Sequence, residues 1–209
     1  MQKSMSRCNH STIRSDESLD HLKGRREVLK AALGIGLGAS LLNKAGIAAE
    51  EDDPTKISPQ IGDLFVFFSG DRKGEVIKPD DLPLGGPQEM AYPMDPNSNV
   101  VRDGSLLNMV VLVRFDPAEL DAKALQNAAE GVVAYSAVCT HQACPVSMWR
   151  EDKQTLFCAC HGSQYDPRKA AKVVTGPTTK RLAMLPLKFE EGELLVAGKF
   201  TGRVGAAMR

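Results

Sequence analysis

The chain has 209 residues, 43% apolar, 25% charged and 5% aromatic, and its 26 basic and 26 acidic residues cancel. That balance belongs to a folded globular protein and excludes a disordered or fibrous one. It supplies no basic field, so nucleic acid is not an expected partner. The length suits one domain with a short extension.

The first 30 residues carry seven basic residues (Lys3, Arg7, Arg14, Lys23, Arg25, Arg26 and Lys30) and four acidic ones. An uncharged Ala/Gly/Leu run, Ala31 to Leu42, follows directly. A positive region before an apolar one reads as an export signal. Arg25–Arg26 lies within Gly-Arg-Arg-Glu-Val-Leu-Lys, which resembles a twin-arginine signal. Ala31–Leu42 is twelve residues long, short of the roughly 20 apolar residues a membrane helix needs. The segment is therefore expected to be cleaved near Gly46–Ala49 or kept as a weak membrane tether. Residues 1–49 are thus read as signal or anchor and 50–60 as a polar linker. The folded domain is placed at 61–209 and its metal-binding part at about 131–180. A bacterial periplasmic location follows. The alternative for the apolar run is a buried glycine-rich helix of the domain itself.

Leu64 to Phe68 is a short apolar strand candidate, and Gly70 to Asn99, rich in Pro and Gly, reads as a long ordered loop. A strand is expected over Leu106–Phe115. Asp116-Pro117-Ala118-Glu119 has the residues of a helix start, and the helix is expected to run to about Glu130 and stop at Gly131. Gly131–Tyr135 reads as the start of a strand, and Leu182–Phe189 with Glu193–Val196 as a hairpin around Glu191-Gly192. The sum is a mainly β domain with one short helix.

Four of the five cysteines (Cys139, Cys144, Cys158 and Cys160) fall within 22 residues, interleaved with His141 and His161. This clustering points to metal. Cys139-Thr-His141 and Cys158-Ala-Cys-His161 are C-x-H and C-x-x-H halves separated by sixteen residues. Two bridged irons need two terminal ligands each, and two facing loops with one Cys and one His apiece can supply them. A zinc site of two cysteines and two histidines is the competing reading. Zinc-finger spacing, however, keeps like ligands together, and here each Cys is paired with a His. Cys8, His10 and His21 lie in the signal region and read as solvated.

The whole string, best over the two ligand loops and more loosely from Leu106 to Gly202, resembles the Rieske [2Fe–2S] family. The resemblance implies an antiparallel β-sandwich with a cluster-binding subdomain. It implies one [2Fe–2S] cluster, with Cys139 and Cys158 on one iron and His141 and His161 on the other. It implies a disulfide between Cys144 and Cys160, suited to an oxidising compartment. In the family pattern His-Gly-Ser-x-Tyr-Asp, the serine bonds a bridging sulfide and the tyrosine a cysteine sulfur. Ser163 and Tyr165 hold those positions. Two ferric ions, two sulfides, two thiolates and two neutral imidazoles sum to zero charge, so adding an electron is easier than at a four-thiolate cluster. The potential then falls between about −150 and +300 mV, and the two hydroxyls push it toward the upper end.

The resemblance implies an electron carrier, not a catalyst by itself. Quinol-oxidising subunits of cytochrome bc complexes usually carry Leu-Gly where this chain has Gln142-Ala143. Gly176-Pro177-Thr178-Thr179 likewise lacks the second proline of the family's proline loop. Val133-to-His141 is more similar to the arsenite oxidase small subunit. The leading expectation is therefore the small subunit of a periplasmic oxidoreductase. Its expected partners are a larger redox subunit (a molybdopterin enzyme or a cytochrome b) and a cytochrome c or similar acceptor, with quinol as a further candidate. The Rieske subunit of a quinol–cytochrome c reductase is the alternative. The ferredoxin component of a ring-hydroxylating oxygenase ranks below both, as does a metal that only staples the fold.

Overall fold

A computed structural model describes residues 53–206. The twin-arginine segment with Arg25 and Arg26, and the thiol of Cys8, lie outside the described residues. Five strands form an antiparallel sheet in the order β1-β2-β3-β4-β9: β1 (Leu64–Phe67), β2 (Glu89–Met94), β3 (Val110–Arg114), β4 (Val132–Ser136) and β9 (Met184–Leu185). A four-stranded antiparallel sheet joins β5 (Met148–Arg150), β6 (Thr155–Cys158), β7 (Ser163–Asp166) and β8 (Lys172–Thr175). The hairpin β10 (Leu187–Glu190) and β11 (Glu193–Val196) completes a mainly β fold.

The five-stranded sheet is covered on both faces. Val66, Val111, Val113, Val133 and Tyr135 point into one apolar cluster, which also holds Leu156, Tyr165 and both free cysteines. Phe65, Phe67, Val110, Leu112, Val132 and Ala134 point into a second, shared with Leu187, Leu194 and Val196 of the hairpin. Double burial explains why β3 and β4 read as unbroken apolar runs rather than alternating ones. Asp63 and Arg102, both buried, form a two-pronged ion pair at 2.6 and 2.8 Å. It is the kind of charge-assisted pairing that makes a buried guanidinium tolerable.

The hairpin follows its sequence signal. Glu191 and Gly192 both have positive φ (53° and 85°), the conformation that a two-residue turn matched to strand twist requires. Pro186 divides the expected Leu182–Phe189 strand: the part before it pairs with β4 and the part after it with β11.

Three expectations are corrected. The strand expected over Leu106–Phe115 is only Val110–Arg114, because Ser105 caps a 3-10 turn at Leu106–Asn108 by accepting from the Leu107 N–H. The stretch from Gly70 to Asn99 is not all loop, because β2 lies within it. Pro93 hid that strand. Its missing N–H does no harm, since β3 pairs with β2 only at Glu89–Ala91, before the proline. The helix after Asp116 is also much shorter than expected. Asp116 caps a single 3-10 turn, Pro117–Glu119, and Leu120 then turns extended. Asp121 starts a new turn, α1 (Ala122–Leu125), by accepting from the Ala124 N–H. The Asp121 N–H is held by the carbonyl of Arg168, and this tertiary bond wins over continuing the helix. From the expected linker, Thr55 accepts the Gly104 N–H and Ile57 accepts from the Asn108 side chain, so both are tied to the domain.

Candidate metal centre

Two loops build the site. The first leaves β4 and folds back on itself: Cys139 N–H donates to Cys144, Ala143 N–H to Cys139, and Val146 N–H to Ala137. Ala143 takes the left-handed conformation this tight return needs (φ 60°). The second is the four-residue tip of the β6–β7 hairpin. Cys158 and Ser163 face each other across its base, Gly162 N–H closes it onto the Cys158 carbonyl, and His161 stands exposed at its end. A disulfide joins Cys144 of the first loop to Cys160 of the second.

With those two sulfurs bonded to each other, the donors left are the free thiols of Cys139 and Cys158 and the two imidazoles. Both thiols are 1% exposed. The rings of His141 and His161 meet edge-on, with centroids 4.7 Å apart. The sulfur of Cys158 lies within 4.8 Å of both disulfide sulfurs, which fixes the bridge beside the cradle. Two buried polar atoms here have no hydrogen-bond partner, Nδ1 of His141 and Oγ of Ser163. Buried polar atoms are rarely left unpaired unless something else binds them. The free thiols, the imidazoles and an unpaired ring nitrogen together fit a cluster with mixed sulfur and nitrogen ligands.

The environment favours one thiolate strongly. Burial opposes ionisation of Cys139. The Tyr165 hydroxyl, at 3.1 Å from its sulfur, and the His141 N–H outweigh that and hold its pKa below the ordinary thiol value. Burial pushes the Cys158 thiol up, with the neighbouring Cys139 adding to it. Burial, and then the adjacent Cys139, push Tyr165 far above the usual phenol value, so it stays a proton donor. Behind Ser163 the backbone closes tightly. A Cβ on Gly176 (φ 109°) would lie 2.5 Å from the Ser163 Cα, so only glycine fits there.

Residues 75–186 match the family model described as the Rieske [2Fe-2S] domain. The chain belongs to the Rieske family. It holds one [2Fe–2S] cluster, and its chemistry is Rieske-type electron transfer. It is similar to the cytochrome bc1 complex Rieske iron-sulfur subunit of Streptomyces lividans, at 30% identity over 64% of this chain and 80% of that one. It is similar to the same subunit of Streptomyces coelicolor, at 27% identity over 88% of this chain but 54% of the longer relative. A Rieske subunit provisionally assigned to a respiratory nitrate reductase in Haloferax mediterranei is 42% identical over 46% of this chain and 43% of its own length. Rieske subunits of both named kinds of complex thus share this sequence.

Sequence reasoning missed a buried polar group beside the cluster cradle. Thr140 and Thr178, 8% and 7% exposed, bond to each other at 2.8 Å, and Thr140 also approaches Tyr165. No local signal marks such a pair, because its members are 38 residues apart.

Proposed function

We propose that Cys139 and Cys158 bind one iron, that His141 and His161 bind the other, and that the chain is the electron-transfer subunit of a larger exported oxidoreductase. The observation that carries the ligand set is the edge-on contact of the two imidazoles, one with a buried, unpartnered Nδ1, on the same two loops that carry the free buried thiols. When bound, the cluster supplies a reversible one-electron couple. The protein's own residues do the rest. The disulfide clamps the two loops, apolar packing from Leu156 and Val146 keeps water from the thiols, and the hydroxyls of Ser163 and Tyr165 tune the potential. His161, exposed at the tip, is the point nearest a docked partner. Reduced protein is expected to give a Rieske-type electron paramagnetic resonance spectrum, and His161→Cys to lose it. A wild-type spectrum from that variant would refute the ligand set.

The finer reading is a relay subunit that passes electrons away from a molybdopterin-type subunit, in the manner of arsenite oxidase, to a cytochrome c or similar acceptor. Exposed Gln142 and Ala143, in place of the usual Leu-Gly, support it. The Streptomyces relatives favour the second reading, a quinol–cytochrome c reductase with a cytochrome b partner. Residues 1–49 are read as a twin-arginine signal or tether leading to the periplasm, 50–60 as linker and 61–209 as the Rieske domain. A disulfide beside the cluster fits an oxidising compartment. Among the described residues no helix is long and apolar enough to cross a membrane. Purification of the tagged chain from native membranes separates the two readings: a stoichiometric molybdenum subunit supports the first, and b-type haem in its place supports the second.

A further inference from the structure

Thr178 lies in the Gly176-Pro177-Thr178-Thr179 loop, and its hydroxyl joins a network whose proton directions can be assigned. Lys180 N–H donates to Thr178 Oγ1 at 3.2 Å. Thr140 Oγ1 lies 2.6 Å from the Lys180 carbonyl, 2.8 Å from Thr178 Oγ1 and 3.2 Å from the Tyr165 hydroxyl. A carbonyl only accepts, so the single Thr140 hydroxyl proton goes to Lys180. The proton between the two threonines then comes from Thr178. The Tyr165 oxygen accepts from the Thr140 N–H at 3.4 Å. The one Tyr165 proton is left with two acceptors, the Cys139 sulfur at 3.1 Å and Thr140 Oγ1.

We propose that Thr178 is a positioning residue for the cluster's potential: by donating into one of the two lone pairs of Thr140 Oγ1, its hydroxyl makes that oxygen a weaker acceptor for Tyr165 and biases the Tyr165 proton toward Cys139. A residue without a side-chain hydroxyl could not do this. Removing the hydroxyl leaves Thr140 Oγ1 with both lone pairs open and a stronger acceptor, which draws the Tyr165 proton away from the sulfur. The reduced cluster, which carries the extra negative charge, loses most by that change, so the potential falls. The inference rests on Cys139 being a ligand.

The test is a redox titration of the whole cluster-loaded protein, followed by electron paramagnetic resonance. The variants are Thr178→Val, Thr178→Ser, Tyr165→Phe and the double variant Thr178→Val/Tyr165→Phe. Thr178→Val is expected to lower the midpoint potential with the Rieske-type spectrum retained. Thr178→Ser is expected to restore the wild-type value. The valine change is expected to add nothing once Tyr165 is phenylalanine. An unchanged potential in Thr178→Val would overturn the inference, as would an equal drop in the Tyr165→Phe background. Should the valine variant not retain its cluster, Thr178→Ala against Thr178→Ser reads the same difference. A wild-type protein without a Rieske-type spectrum would instead overturn the ligand set, and this inference with it.

Discussion

The five-stranded sheet and the four-stranded sheet are held together by different physics. In the first, β3 and β4 are buried on both faces and supported by the ladder and two apolar clusters, and the Asp63–Arg102 pair sits beside β1 and β2. In the second, β5 and β8 are largely exposed, and mainly β6 and β7 contribute to the core. What that smaller sheet lacks in burial is made up by the Cys144–Cys160 bridge and by the group its loops enclose. One region is a scaffold stable through area removed from water. The other is a region whose exposed loops are held by a covalent bond at its tip.

The sharpest way to break this contrast is to damage the scaffold. Leu112 is fully buried between its neighbours and the hairpin. Leu112→Ala is expected to cost about 2–5 kcal/mol and to lower the unfolding midpoint of the whole domain, site included. A denaturation curve in which only the site melts early would contradict the view that the small sheet rests on the large one. The tip predicts the reverse pattern. Replacing Cys144 and Cys160 together by serine removes the clamp between the two ligand loops. Its effect should stay local, with faster amide exchange in residues 139–146 and 158–163, easier loss of the cluster, and β3 and β4 protected as before. Equal loss of protection in β3 would show that the two regions share a single cooperative unit.

The same contrast explains what was legible from the residues alone. The ligand loops were readable because metal chemistry fixes residue types at short spacing, and the His141 and His161 rings meet on the loops that carry the free thiols of Cys139 and Cys158. The fold class and the Glu191-Gly192 hairpin were readable because strand runs and a two-residue turn are local signals. β2 was not, because Pro93 is a strand breaker except past the end of its partner, and register is a tertiary fact. The long helix failed for the same reason: Asp116 and Asp121 compete as caps, and a bond to the distant Arg168 decides between them. Thr140 and Thr178 were invisible because neither means anything until the chain brings them together.

The smallest expected effect separates the two regions most cleanly. The Ser163 Oγ is fully buried, backed by Gly176, and has no partner within the protein. A hydroxyl that serves only a bound cluster would contribute nothing to the fold without it and cost some desolvation. Ser163→Ala is therefore expected to leave the unfolding midpoint of the cluster-free protein unchanged or slightly raised. In the loaded protein the lost hydrogen bond destabilises the reduced state more than the oxidised one, by about 1 kcal/mol, and the midpoint potential falls accordingly. A stability loss without a potential shift would make Ser163 an ordinary core residue. A potential shift without a stability loss would mean that this buried polar atom serves the cluster and not the scaffold, which is the division of labour the two sheets display.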